Sequence, residues 1–174
     1  MVVLRATAKV MKSLRPTETA VVESDTALGD WYVNRMVIDR RPLLLLVSSK
    51  SLLPIVEPAR DVRGLPARLA SIVAARLDGM AVPRDWVRAE VDAMVPTLVA
   101  KTASRSVLGV MVDFAKVAPY YQRAEGWDEA WPRELETRLA DTPCFAKRPL
   151  GKAFYPVDEA MRLLAEKWDS VARY

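Results

Sequence analysis

An α+β fold is predicted, in which an antiparallel β-meander of about residues 31–57 is joined by strands near 2–7 and 95–101, and the helices pack mainly on one face of an antiparallel sheet. Three observations predict it. Three runs rich in aliphatic and β-branched residues follow one another between short polar turns. From residue 64 onward, apolar residues recur at steps of three and four, as they do in helices. The two kinds of segment do not alternate regularly, which argues against a βαβ series.

The meander is predicted strand by strand. Its first segment, 31–38, is rich in aromatic and β-branched residues, and short turns connect it to the second and third. Loops this short favour antiparallel neighbours. Since 43–47 is apolar throughout, we expect it to be buried on both faces and to lie centrally. Pro54 has no N–H, so the third strand belongs at an edge or a bulge.

Six helices are predicted around the strands. In chain order they cover 8–14, 64–79, a stretch from Pro83, 105–118, 127–139 and a stretch from Pro156. In helix 105–118, Val107, Val110, Met111 and Phe114 form one apolar stripe. The 174 residues, 51% of them hydrophobic, suit a single domain, 1–174.

Composition excludes several classes of chemistry. The chain has no histidine and one cysteine. Ser-His-Asp and Cys-His catalysis, histidine-containing metal sites and thiolate zinc sites are therefore absent. Neither phosphate-binding glycine motif, G-x-G-x-x-G or G-x-x-x-x-G-K-[ST], occurs. No cofactor is predicted, and an enzyme is disfavoured.

The location and the partners are inferred from the same composition. The single cysteine favours a reducing compartment, and neither a secretory signal nor a membrane-length apolar run is found, so we expect a cytoplasmic protein that contacts no membrane. The net charge of +4 favours a polyanion partner only if the cations cluster. The sequence is compatible with either a monomer or a homo-oligomer.

A candidate anion site is predicted at the turn between strand 95–101 and helix 105–118. Its residues are Lys101, Thr102, Ser104, Arg105 and Ser106, with Asp113 one helix face away. Hydroxyls cap a helix start, and the unpaired N–H groups and partial positive charge there attract anions. The alternative is an ordinary capped helix whose cations face solvent.

A secondary candidate surface combines Asn34 with five cations. The cations are Arg40, Arg41, Lys147, Arg148 and Lys152. Cations and aromatic residues mix in the loop 144–155, as they do in nucleic-acid binders, although a solvated loop has the same composition. Asn34 suits either a hydrogen-bonding bulge or a ligand contact. Gly109, inside a helix, is explained either by close packing on the sheet or by an approaching ligand.

Residues 105–114, R-S-V-L-G-V-M-V-D-F, resemble the signature R-S-V-L-G-S-M-N-D-F of an uncharacterised bacterial family. Segments 31–34 and 38–41 are similar to its W-H-A-N and I-N-R-R elements, and 150–157 to its L-x-x-x-Y-P-I element. The resemblance implies a domain of unknown function, carried alone or in plasmid- and transposon-associated contexts.

Three departures from the family pattern stand out. Val110 and Val112 replace its polar Ser and Asn, and Tyr32 replaces its usual His. If those polar groups carry chemistry in relatives, this chain is expected to have lost it.

Two functions stay open at this level. The first is a non-enzymatic binding or regulatory module that contacts nucleic acid or a protein partner in a mobile-element context. The alternative is a small enzyme or anion-ligand-binding protein whose site is the strand-to-helix turn 101–106.

Overall fold

A computed structural model of the chain describes residues 1–17, 23–121, 130–145 and 153–169. The strands are β1 (Val2–Ala6), β2 (Trp31–Ile38), β3 (Arg41–Ser48), β4 (Pro54–Pro58) and β5 (Thr97–Lys101). The helices are α1 (Ala8–Met11), α2 (Leu65–Gly79), α3 (Arg84–Ala93), α4 (Arg105–Val117), α5 (Trp131–Ala140) and α6 (Pro156–Trp168), with a 3₁₀ turn at Ala118–Tyr121. The predicted α+β class is confirmed.

The meander has the predicted arrangement. β3 lies between β2 and β4 and is antiparallel to both, so the aliphatic run is not at an edge. Pro54 begins β4, which is an edge strand. A tight turn joins β2 to β3, with positive φ angles at Asp39 (48°) and Arg40 (63°). Positive φ at both central residues suits the right-handed twist of a hairpin.

The sheet is mixed, and here the prediction of an antiparallel sheet is wrong. Its order is β4-β3-β2-β1-β5. β1 is parallel to both of its neighbours, with Leu4 opposite Trp31 on β2 and Val99 on β5. The chain reaches these neighbours through long connections rather than hairpins, and long connections permit parallel pairing.

Helices cover both faces of the sheet, which corrects the expectation that they pack mainly on one. α1, α2, α3 and α6 contribute to one apolar cluster, and α4 and α5 to the other, except that Ala140 at the end of α5 belongs to the first. β3 supplies both layers, because Leu44 and Leu46 face the first cluster while Leu45 and Val47 face the second. A strand that is apolar on both faces needs a helical layer on each.

On each edge strand of the sheet, backbone groups are paired with polar groups from outside the sheet. At β4, the Val56 N–H donates to the fully buried Glu136 of α5 at 2.8 Å. At β5, the Thr17 N–H donates to the Val99 carbonyl, and Thr17 Oγ1 accepts from the Val99 N–H, both at 2.9 Å. Paired edge groups leave less backbone free to recruit another strand. In the described part of the chain, no helix has the length and apolar character needed to cross a membrane.

Candidate functional site

The predicted strand-to-helix turn leads from β5 into α4. Ser104 is the N-cap, because its Oγ accepts from the Val107 N–H at 3.3 Å. Its own N–H donates to the Tyr32 hydroxyl oxygen at 3.0 Å, which ties the turn to β2. The predicted stripe of α4 is buried against the sheet. Packing and capping together fix where the helix begins.

Two cavities lie beside the first turn of α4. The first, which we call the Arg5 cavity, has a volume of about 340 Å³. Its lining includes Arg5, Ser24, Asp30, Tyr32, Lys50 and Ser104. The second, which we call the α4 groove, has a volume of about 320 Å³. Its lining includes Arg105, Ser106, Gly109, Asp113, Phe114 and Phe145.

The six predicted site residues are divided between these places. Ser104 lines the Arg5 cavity, whereas Arg105, Ser106 and Asp113 line the α4 groove. The Lys101 side chain is exposed, and its carbonyl accepts from Arg5 Nη1 at 3.2 Å. Thr102 follows it in a half-buried position. The turn therefore contributes to two sites rather than to one anion pocket.

A buried ion pair forms the floor of the Arg5 cavity. Arg5 Nε donates to Asp30 Oδ2, and the two residues are only 5% and 8% exposed. Ser24 donates to Asp30 Oδ1 through both its Oγ and its backbone N–H. Arg5 was not among the predicted site residues, since its only local signal in the sequence is a single cation within the apolar strand 2–7.

Three hydrogen-bond donors in this cavity have no acceptor among the residues that the structure describes. Arg5 uses Nε and Nη1, which leaves Nη2. The Tyr32 and Ser104 hydroxyls each accept a backbone N–H, but neither donates to a described group. All three residues line the cavity. Donors without acceptors suit a ligand that brings oxygen acceptors.

The formal charges around the Arg5 cavity balance. Arg5 and Lys50 are opposed by Asp30 and Glu23, which also lines the cavity. The Ser104 N-cap adds the partial positive end of α4. A ligand with one negative charge fits this balance better than a polyanion does.

The α4 groove contains an exposed helical glycine. Apart from its chain neighbours and the backbone of its own helix, no heavy atom of the described residues lies within 4 Å of the place that a Cβ on Gly109 would occupy. The expectation that close packing on the sheet explains Gly109 is therefore wrong. The stripe of α4 turns toward the sheet, and Gly109 lies on the side that faces the groove.

Cys144 lies in the wall of the groove as a buried free thiol. Burial, and secondarily the nearby Asp113 carboxylate, raises the pKa of Cys144 to about 11. The group is therefore a protonated thiol at neutral pH rather than a nucleophilic thiolate.

Alkylation of Cys144 by iodoacetamide is expected to be slow in the native protein at pH 8 and to accelerate toward pH 11, because only the thiolate reacts. The rate is measured by mass spectrometry, with urea-unfolded protein as the fast control. Asp113→Asn should lower the thiol pKa slightly, since burial is the larger cause. Equal native and unfolded rates at pH 8 would contradict the raised pKa.

The secondary surface is only partly described. Asn34 pairs in register with Leu45, without a bulge, and its Oδ1 accepts from Thr7 Oγ1 at 2.9 Å. Arg40 and Arg41 lie exposed at the β2–β3 turn. Lys147, Arg148 and Lys152 lie outside the described residues. Asn34 thus has the hydrogen-bonding role, and the cation cluster stays a prediction.

A comparison with protein families matches residues 3–159 to the family described as Domain of unknown function (DUF6933). The chain belongs to that family. Both cavities lie within the part of the chain that matches DUF6933. The match agrees with the resemblance to an uncharacterised family. No curated protein matches the chain.

Proposed function

We propose that the protein is a binding module for a small carboxylate ligand, held in the Arg5 cavity beside the start of α4. One observation supports this most: Arg5, Tyr32 and Ser104 line the same cavity, and each has a side-chain donor, Nη2 or a hydroxyl, without an acceptor among the described residues. Because Nε and Nη1 of Arg5 already donate to Asp30 and to the Lys101 carbonyl, Nη2 is the guanidinium nitrogen left to donate to a ligand carboxylate. Two hydroxyls can then complete the contact.

Binding without catalysis is the proposed activity, in the bacterial cytoplasm. Contact with nucleic acid or a protein partner in a mobile-element context is the other function predicted from the sequence, and it rests on the net charge of +4 and the family resemblance. The balanced charge of the Arg5 cavity favours a monoanion over the phosphate backbone of a nucleic acid.

Tyr32→Phe is expected to weaken carboxylate binding roughly tenfold, the effect of losing one hydrogen bond to a charged group. Arg5→Lys should weaken it further, because a single ammonium cannot replace the Nε and Nη1 contacts to Asp30 and the Lys101 carbonyl and also supply the donor that Nη2 offers the ligand. Binding is measured by calorimetric titration with acetate, succinate and benzoate, and thermal unfolding verifies that each variant is folded. Arg105→Ala is the control, since Arg105 lines the other cavity.

The same titrations include inorganic phosphate, nucleotides and short DNA and RNA. No heat from any carboxylate with the wild-type protein would remove the proposal. Heat from DNA or RNA alone, lost when Arg40 and Arg41 are both replaced by alanine, would support the nucleic-acid function instead. Loss of carboxylate binding in Arg105→Ala would move the site to the α4 groove.

A further inference from the structure

We propose that the α4 groove is a second ligand site, built for an elongated zwitterion such as a short apolar peptide with free termini. The site is separate from the Arg5 cavity, and the proposal does not depend on that cavity binding a carboxylate. Three features of the groove define the ligand: two protein side chains of opposite charge, the distance between them, and a helix surface between them that has no side chain at Gly109.

Gly109 leaves the helix backbone uncovered between the two charges, because glycine has no side chain. It lies in the interior of α4, where glycine is among the least favourable residues. Its exposure and the open space around its missing Cβ leave no packing reason for it. Glycine also allows a ligand to approach the helix backbone closely. The groove, which Gly109 lines, therefore has room for a ligand that lies against the helix backbone.

Two opposite charges stand on either side of Gly109. Arg105 precedes it by one helical turn and Asp113 follows it by one, and both line the groove. Within 1–17, 23–121, 130–145 and 153–169, neither side chain has an ion pair or a hydrogen bond. A ligand carboxylate fits Arg105 at the positive end of the helix, and a ligand ammonium fits Asp113.

The separation of the charges sets the length of the ligand. Eight residues of α-helix rise about 12 Å. An extended peptide spans about 3.3–3.6 Å per residue, so three to four residues cover that distance. A free amino acid is too short to contact both groups.

The rest of the groove suits an apolar body between the charges. Val110 and Phe114 are buried beneath it, and Phe145, at the opposite wall, is 65% exposed. That wall is held in place because Cys144 exchanges two backbone hydrogen bonds with Phe154, at 2.8 and 3.0 Å. The volume of about 320 Å³ falls within the range of small-molecule sites.

Calorimetry with three probes tests the charge requirement. Trialanine should bind at least tenfold more tightly than N-acetyl-trialanine, which lacks the ammonium, and than trialanine amide, which lacks the carboxylate. Asp113→Asn should abolish the discrimination against the acetylated peptide, and Arg105→Gln the discrimination against the amide. Each variant should remove the preference for the one ligand charge that its side chain contacts and should leave the preference for the other charge unchanged.

Gly109→Leu tests the shape of the groove and should weaken trialanine binding at least tenfold, because the side chain fills the space along the helix. Gly79→Leu is the matched control: in the described part of the chain, only its own helix and chain neighbours come within 4 Å of its missing Cβ, and it lies at the end of α2, away from the groove. Circular dichroism verifies that both variants are folded.

Three results would each overturn the inference: no binding of trialanine, equal binding of all three peptides, or unchanged binding in Gly109→Leu. Lys50→Gln, which alters the Arg5 cavity at an exposed side chain, should leave trialanine binding unchanged. Failure of the peptide titrations is therefore distinguishable from failure of the carboxylate titrations.

Discussion

Replacing Glu90 with alanine is expected to lower the free energy of unfolding by about 3–5 kcal/mol, the range in which a buried hydrogen-bonded network is broken. Glu90 is fully buried on α3. Its carboxylate accepts from the backbone N–H groups of Ala27 and Leu28, at 2.7 and 3.0 Å. It also accepts from Trp168 Nε1 at 2.8 Å. One carboxylate thus joins α3, the loop before β2 and α6.

The expected loss is large because alanine leaves two buried backbone donors without acceptors. Urea unfolding measures it. Asp92→Ala on the same helix is the control: the Asp92 side chain is exposed and pairs with the exposed Arg88 at 3.9 Å, so the change should be below about 1 kcal/mol. A loss for Glu90→Ala no larger than that of Asp92→Ala would mean that Glu90 does not hold the three elements together.

Phe114→Ala is expected to lower the free energy of unfolding by about 3–5 kcal/mol, the usual cost of removing a buried aromatic ring. Phe114 is 2% exposed and belongs to the apolar cluster between α4 and the sheet. Such a loss is a large part of the stability of a typical domain. Urea unfolding measures it.

The control for Phe114 lies two residues earlier on α4. Val112 is 48% exposed, so Val112→Ala should change stability by no more than about 0.5 kcal/mol. A loss under 1 kcal/mol for Phe114→Ala would show that α4 does not pack through this stripe.

Local patterns were sufficient to predict the elements of the fold. The run 43–47 identified a central strand because every position is apolar, and the stripe of α4 repeats with the period of a helix. Short turns within the meander left only antiparallel pairing for its strands. No turn signal predicted which strands lie beside β1, because long connections separate it in the sequence from both of its partners, β2 and β5.

The candidate site was predicted less completely. Hydroxyls before an apolar stripe correctly indicated a capped helix start at Ser104. The sequence did not predict that the site residues would be divided between two cavities. Successive residues on a helix point about 100° apart, and the segments that each side chain contacts are distant in the sequence. Arg5 was missed because Asp30, which holds it in a buried position, lies 25 residues further along the chain.

The sequence by itself determined the α+β class, the order of the helices and strands, and a composition with no histidine and one cysteine. Only the tertiary structure decided that β1 pairs in parallel, that both faces of the sheet are covered, and that Gly109 borders open space. Periodicity records which side of an element is apolar. It carries no information about which element packs against that side. Unpaired donors, cavities and buried charges all depend on that packing.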